Sequence, residues 1–187
     1  MINLGDSYFS YNKLVDVGFK KIGQNIKIKK SVQFHFCENI ELGSNLRIDD
    51  FTILTGGGGL SIGDYVHISS HSNILGKEGI EIDDYVTIAP SVNIFSSTDD
   101  YHGIKLHHPE LDSSKVGGYG GKVKINKHVI IGSHSTIMPN LVIQEGVAIG
   151  AHSLIKCDLI KWKIYAGIPA KIIKDRKKDM LGLLNGM

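Results

Sequence analysis

From Ile125 onward the chain places an isoleucine at every sixth position: Ile125, Ile131, Ile137, Ile143, Ile149 and Ile155. Four residues after each stands a small or aliphatic residue, in order Val129, Ser135, Leu141, Val147, Ser153 and Leu159. The N-terminal half keeps the same rhythm with one longer step. Ile22, Ile28 and Phe34 are six apart, and Leu42 follows after eight; Leu42–Ile48–Leu54, Ile62–Ile68–Ile74 and Ile82–Ile88–Ile94 repeat the set. A step of six matches neither the roughly 3.6-residue period of a helix nor strict alternation. It predicts a short strand followed by a turn, three such units forming one triangular coil. The repeated aliphatic residue then points inward and stacks on its counterpart in the next coil. Each coil of such a solenoid buries its face only against its neighbours. The eight-residue steps contain TGGGGLS (Thr55–Ser61) and LGKEGIE (Leu75–Glu81), whose extra glycines suit corners that need positive φ. A β-sandwich, with alternating strands spaced roughly 8–12 residues apart, does not fit a sustained step of six.

The rhythm stops at Ile94 and resumes at Ile125. The interval contains SSTDDYHGIKLHHPELDSSKVGGYGG (residues 96–121), with three of the chain's nine histidines inside seven positions. The expected organisation is an N-terminal cap over residues 1–21, helical or irregular, and a β-solenoid over 22–170. Residues 95–122 leave that solenoid as an inserted loop, and 171–187 form a C-terminal helix or tail.

Composition narrows the function. A length of 187 residues suits one domain, and 42% hydrophobic with 21% charged residues allows a packed core. With 21 Lys+Arg against 19 Asp+Glu, the net charge of +2 lacks the concentrated basic stripe of a dedicated nucleic-acid binder. The one basic run, KIIKDRKK (Lys171–Lys178), reads either as a solvated face or as a contact for a phosphate-bearing ligand. Cys37 and Cys157 lie far apart without CxxC spacing, so neither a disulfide framework nor a zinc knuckle is expected. MINLGDSYFS has no basic segment leading into an apolar one. No apolar run approaches the roughly 18 residues of a membrane span. The expectation is a cytoplasmic protein without membrane insertion.

Three segments carry a resemblance: HVIIGSHSTIMPNLVIQEGVAIGAHSLI (His128–Ile155), YAGIPAKIIK (Tyr165–Lys174) and DDYHG (Asp99–Gly103). The hexads resemble the hexapeptide-repeat acyltransferases. YAGIPAK is similar to the AGxPAK segment that closes the solenoid in galactoside and maltose acetyltransferases. DDYHG is similar to the DDYxG of a subgroup found with surface-polysaccharide enzymes. The resemblance implies an all-β left-handed parallel β-helix, a handedness that runs against the usual crossover preference. It also implies a homotrimer with active sites in clefts between subunits, the long loop reaching toward a neighbour. Acetyl-CoA as co-substrate would lie along the C-terminal coils, and the acceptor would be a sugar or nucleotide sugar, in surface polysaccharide biosynthesis.

Acyl transfer from a thioester needs a base for the acceptor's proton, a donor for the developing oxyanion and a held geometry. Histidine suits the base because it titrates near neutrality. The resemblance puts the catalytic histidine just before position 100, where this chain has Asp99. The base is then His102, with Asp99 or Asp100 orienting it, or His71 on the preceding coil, with His67 next. Ser69 aligns with an acceptor-binding asparagine of the family, and His67 and Asp100 join it as candidate substrate ligands. Pro109 biases His108 toward extended backbone, so HHPELD reads as the loop's reach toward a neighbour, with His107 and His108 at its rim. For the cofactor, Ser133 and Ala151 match the small residues beside the pantetheine arm. Lys156, Lys171, Lys174 and Arg176 are the cations placed for the CoA phosphates. Cys157 falls outside the inward register with no adjacent His or acid, so it is not read as a nucleophile.

Two other classes stay open. Gamma-class carbonic anhydrases use the same solenoid with a histidine-held zinc, and His102-x4-His107 has a compatible spacing, although no residue is assigned here as a metal ligand. A non-catalytic solenoid scaffold would bind no CoA. Within the acyltransferase reading both hydroxyl and amine acceptors remain, as does a longer acyl group. An amine is nucleophilic once deprotonated and tolerates a site without histidine.

Overall fold

The computed structural model describes residues 7–186, so the first six residues of the expected N-terminal cap, and residue 187, lie outside the described residues. The chain winds as a parallel β-solenoid with three faces, sheets of six, eight and six strands. The first face holds Lys21–Ile22, Ile40–Leu42, Leu60–Ile62, Ile80–Ile82, Val123–Ile125 and Val142–Ile143. The six-residue rhythm is the register of all three faces; on the first, Ile22, Leu42, Ile62, Ile82, Ile125 and Ile143 form one column. On the second face Ile28 pairs with Ile48, Ile48 with Ile68, Ile68 with Ile88, Ile88 with Ile131, Ile131 with Ile149 and Ile149 with Tyr165. On the third, Phe34, Leu54, Ile74, Ile94, Ile137 and Ile155 form one column. These columns meet in a single buried core. Each such side chain contributes on the order of 1.5–3 kcal/mol by burial, which is why strands of two or three residues persist.

The corners need a left-handed residue in every coil. Asn25, Asn45, Tyr65, Tyr85, His128, Gly146 and Trp162 form one such column, all at positive φ. Their side chains key one coil to the next. Asn25 Nδ2 donates to Asn45 Oδ1 at 2.7 Å. Tyr65 stacks on Tyr85 and Tyr85 on His128, with ring centroids 5.0 and 5.2 Å apart. Gly146 must be glycine, because a Cβ there would fall 2.4 Å from the Trp162 ring. A second corner stacks Phe51 on His71 and His134 on His152.

Both ends are closed. The N-terminal helix Tyr11–Asp16 starts at Ser10, whose hydroxyl accepts from the Lys13 N–H, and it buries Leu14. Over the expected C-terminal helix or tail, 171–187, the described residues begin with a strand. Lys171–Asp175 is a strand paired antiparallel with Lys163–Ala166, and only Asp179–Gly186 is helical, as a 3-10 helix. The turn after Ala166 brings the chain back against the last strand of the second face, whose open backbone groups are better satisfied by a strand than by a helix. The β-branched pair Ile172 and Ile173 favours the same outcome. Arg176 then pins the returning chain: its Nη1 donates to the carbonyls of His128, Gly146 and Val147 at 2.7, 3.1 and 3.2 Å.

Candidate active site

The chain leaves the solenoid after Phe95 and returns at Gly121, whose N–H donates to the Ser96 carbonyl at 2.9 Å. Ser96 is fully buried, and its hydroxyl accepts from the Glu78 N–H at 2.8 Å and donates to the Leu75 carbonyl at 3.1 Å. The excursion therefore rises from a fixed root. Its two arms, Ser97–Asp99 and Gly118–Gly120, pair antiparallel with Asp99 opposite Gly118. The GGYGG run has a local reason: a Cβ on Gly118 would sit 2.2 Å from the Thr98 carbonyl oxygen. Any side chain there would force the arms apart.

Against the arms lies an open cleft of about 860 Å³. Phe95, Tyr101 and Tyr119 supply aromatic walls, and Pro109, Leu111 and Val116 add apolar surface. The ionisable groups on its lining are Asp99, Glu78, Lys77 and His107. Such a mix of apolar walls with a few polar groups is the usual character of a small-molecule site. A smaller cleft of about 430 Å³ on the first face is lined by Glu41, Glu81 and Asp84 among others. Those carboxylates are already paired with Lys20, with Lys122 and Lys124, and with Lys127.

The structure sorts the residues singled out from sequence. Asp99 lines the larger cleft, and so does His107. His102 is exposed on the excursion but does not line the cleft. Asp100, expected as a substrate ligand or as the partner of the His102 ring, has its carboxylate engaged with backbone instead. It accepts the N–H groups of His102, Ile104 and Lys105 at 2.7, 2.8 and 2.6 Å. Those bonds, Lys105's foremost, hold its carboxyl below the usual carboxylate range. His71, His67 and Ser69 are on the second face and its corner, away from this cleft within one chain. His71 stacks on Phe51 at a left-handed corner. His67 Nε2 lies 2.8 Å from Asp49 Oδ2, and Arg47 Nε donates to Asp49 Oδ1 at 2.8 Å. Burial pushes the Asp49 carboxyl up, but the bonds from His67 and Arg47 outweigh it and leave it below its ordinary value. Ser69 is buried, and its carbonyl accepts from the Thr52 hydroxyl. His108 Nδ1 accepts the Glu110 N–H, which shapes the HHPELD turn.

Among the cofactor candidates, Ser133 and Ala151 follow Gly132 and Gly150, where adjacent coils approach so closely that a Cβ on Gly132 would lie 2.5 Å from the Ala151 nitrogen. Lys156, Lys171 and Lys174 are exposed and make no ion pair among the described residues. Arg176 differs from them: it is half-buried, and its Nη1 is engaged with three carbonyls, so it anchors the returning chain. Among the described residues no three His, Cys, Asp or Glu side chains stand close enough together to hold a metal ion, so His102 and His107 gain no third partner within the chain. No helix of the described residues is long and apolar enough to cross a membrane. Sequence reading missed Tyr101, Tyr119 and Phe95, whose signal was an aromatic cluster flanking the break in the rhythm.

No family model matches the chain. It is 42% identical over 178 residues to a dTDP-4-amino-4,6-dideoxy-D-glucose acyltransferase of Escherichia coli, covering 95% of this chain and 93% of that protein. It is 26% identical to the galactoside O-acetyltransferase of Escherichia coli K12, over 87% of this chain and 66% of that protein. Its structure superposes with a TM-score of 0.92 on AntD, an N-acyltransferase from Bacillus cereus solved with dTDP and 3-hydroxybutyryl-CoA, at 39% identity, covering 97% of this chain and 96% of that one. The solenoid built on hexads, the cleft beside its one long excursion and this near full-length similarity together establish the assignment: the chain belongs to the hexapeptide-repeat, left-handed β-helix acyltransferases of sugars and nucleotide sugars.

Proposed function

We propose that the enzyme moves an acyl group from a CoA thioester, acetyl-CoA in the simplest case, to the amino group of a dTDP-4-amino-4,6-dideoxyhexose. The observation that carries this reading is Asp99: an aspartate lines the cleft, at the position where the resemblance to the sugar acetyltransferases implies a histidine. A hydroxyl must lose its proton as it attacks, which calls for a base near neutrality. A neutral amine attacks unaided. The nitrogen of the tetrahedral intermediate is then positively charged and acidic, and a carboxylate is base enough to take its proton. The carbon–nitrogen bond forms, the carbon–sulfur bond breaks, and the proton taken by Asp99 balances the one that the departing thiolate gains.

The similarity to proteins named for dTDP-4-amino-4,6-dideoxyglucose and for N-acyl transfer supports the same choice. The aromatic walls of Phe95, Tyr101 and Tyr119 suit a pyrimidine and a deoxy-sugar, and Lys77 suits a diphosphate. The closely stacked surface at Ser133 and Ala151 fits a pantetheine arm, with Lys156, Lys171 and Lys174 as cations for the nucleotide end of CoA. The assembly proposed is a homotrimer in the cytoplasm, where CoA thioesters and nucleotide sugars are made, and its product is an activated sugar for surface polysaccharide. Tyr101, Ile104 and Leu106 support the trimer: they are 85%, 81% and 52% exposed on the excursion of the single chain, an apolar surface that a neighbour would cover.

A thiol-release assay tests the proposal, with dTDP-4-amino-4,6-dideoxyglucose and its 4-hydroxy counterpart as acceptors and acetyl-CoA or 3-hydroxybutyryl-CoA as donors. Release with the amine alone is the expected outcome. Equal turnover of the 4-hydroxy sugar would establish O-transfer instead.

A further inference from the structure

Asp99 and Asp100 are neighbours in sequence with opposite assignments. Asp99 ends a strand of the excursion and lines the cleft. Asp100 turns its carboxylate onto its own loop, where one oxygen accepts from His102 and the other from both Ile104 and Lys105. Three backbone donors on one side chain fix the path of residues 100–105. The knot extends to the far arm: Lys105 Nζ donates to the Ser114 carbonyl at 2.8 Å. The Leu106 N–H bonds the Lys115 carbonyl, and the Gly117 N–H bonds the Leu106 carbonyl, both at 2.9 Å. Tyr101, inside the knot, and Val116, just before the far arm, both line the cleft.

We propose that Asp100 is a positioning residue for acyl transfer, holding the turn that sets the Asp99 carboxylate and the Tyr101 ring at the cleft and touching no substrate itself. The proposal rests on the reading of Asp99 as the proton acceptor. The carboxylate is required in this role because both of its oxygens are used. An asparagine has one acceptor oxygen, so its amide nitrogen would face either the His102 N–H or those of Ile104 and Lys105, donor against donor. Displacing a reacting group by an ångström costs about 10²-fold in rate.

The test compares Asp100→Asn, Asp99→Asn and the double variant in thiol release from acetyl-CoA with dTDP-4-amino-4,6-dideoxyglucose, alongside backbone amide exchange. For Asp100→Asn the expected result is a kcat lower by about 10²-fold, with KM for acetyl-CoA and the melting temperature unchanged. Exchange at the amides of His102, Ile104 and Lys105 accelerates. Asp100→Ala, which removes every acceptor without adding a donor, falls as far. The double variant is no slower than Asp99→Asn, because Asp100 acts through Asp99. Full turnover by Asp100→Asn beside a defective Asp99→Asn would overturn the positioning role alone. Additive losses in the double variant would overturn it too. Full turnover by Asp99→Asn would overturn the Asp99 reading and this proposal with it.

Discussion

The solenoid coils and the excursion are built on opposite terms. Down the second face, Ile28, Ile48, Ile68, Ile88, Ile131 and Ile149 are each at most 3% exposed. In the excursion, every residue from 101 to 115 is exposed. The coils are held by stacked apolar side chains and by interstrand bonds that repeat in every turn. The excursion is held chiefly by polar bonds, among them Asp100 to three N–H groups, Lys105 to Ser114, Asp112 to Ser114, the backbone bonds of Leu106 with Lys115 and Gly117, and one short antiparallel pairing. The difference teaches that core packing and the cleft lining draw largely on separate stretches of this chain. Coil positions are committed to packing on both sides, so a change there is felt along the stack. An excursion residue can change without disturbing the core.

Mutations can break that separation or sharpen it. The largest effect belongs to the cleft: Asp99→Asn lowers kcat by about 10²–10⁴-fold with the melting temperature unmoved, as steady-state thiol release and calorimetry will register. Next comes the core. Ile88→Ala, at a position with no exposure, costs about 2–5 kcal/mol in urea unfolding, while the folded fraction keeps its kcat. A smaller effect sits on the outer second face. Asp49 titrates lower in the folded chain than in the unfolded one, because of His67 and Arg47. Its stabilising contribution is therefore complete above the unfolded carboxylate value of about 4 and lost as pH falls through the lower folded value. Asp49→Asn should cost under about 1 kcal/mol at neutral pH, and the gap from wild type should close in unfolding curves taken toward pH 3. The smallest is His102→Ala, which leaves turnover close to wild type because that side chain is exposed and does not line the cleft; a large loss in the same assay would bring that histidine back as the base.

The coil interiors were legible because the same inward requirement recurs, so Ile125, Ile131 and Ile137 announce each other. The corners were not legible in the same way. His71 looked like chemistry, and it shares its setting with His128, His134 and His152: all four stand at positive φ and stack on aromatic or imidazole neighbours. A residue chosen to key one corner to the next carries the same letter as a catalytic base. The two aspartates of DDYHG show a second limit. The break in the rhythm and the resemblance brought in both, but only the backbone path decides which of them lines the cleft and which turns its carboxylate onto its own loop. KIIKDRKK shows a third limit: its charges pointed to a solvated face or a phosphate contact and said nothing of its conformation, whereas pairing with Lys163–Ala166 and the carbonyls waiting for Arg176 are tertiary facts.

The bond between Ser96 and Gly121 closes the excursion at its base, so its two ends are already neighbours in the coil. Whatever lies between them spans no distance. Its length and composition are thus uncoupled from the register of the stack, and loop closure penalises added residues only logarithmically. Such a junction behaves as a socket. A different excursion grafted between residues 96 and 121 would meet the same coil and the same pairing partners. In this architecture a change of cleft lining is a change of insert, with no need to redesign the scaffold that carries it.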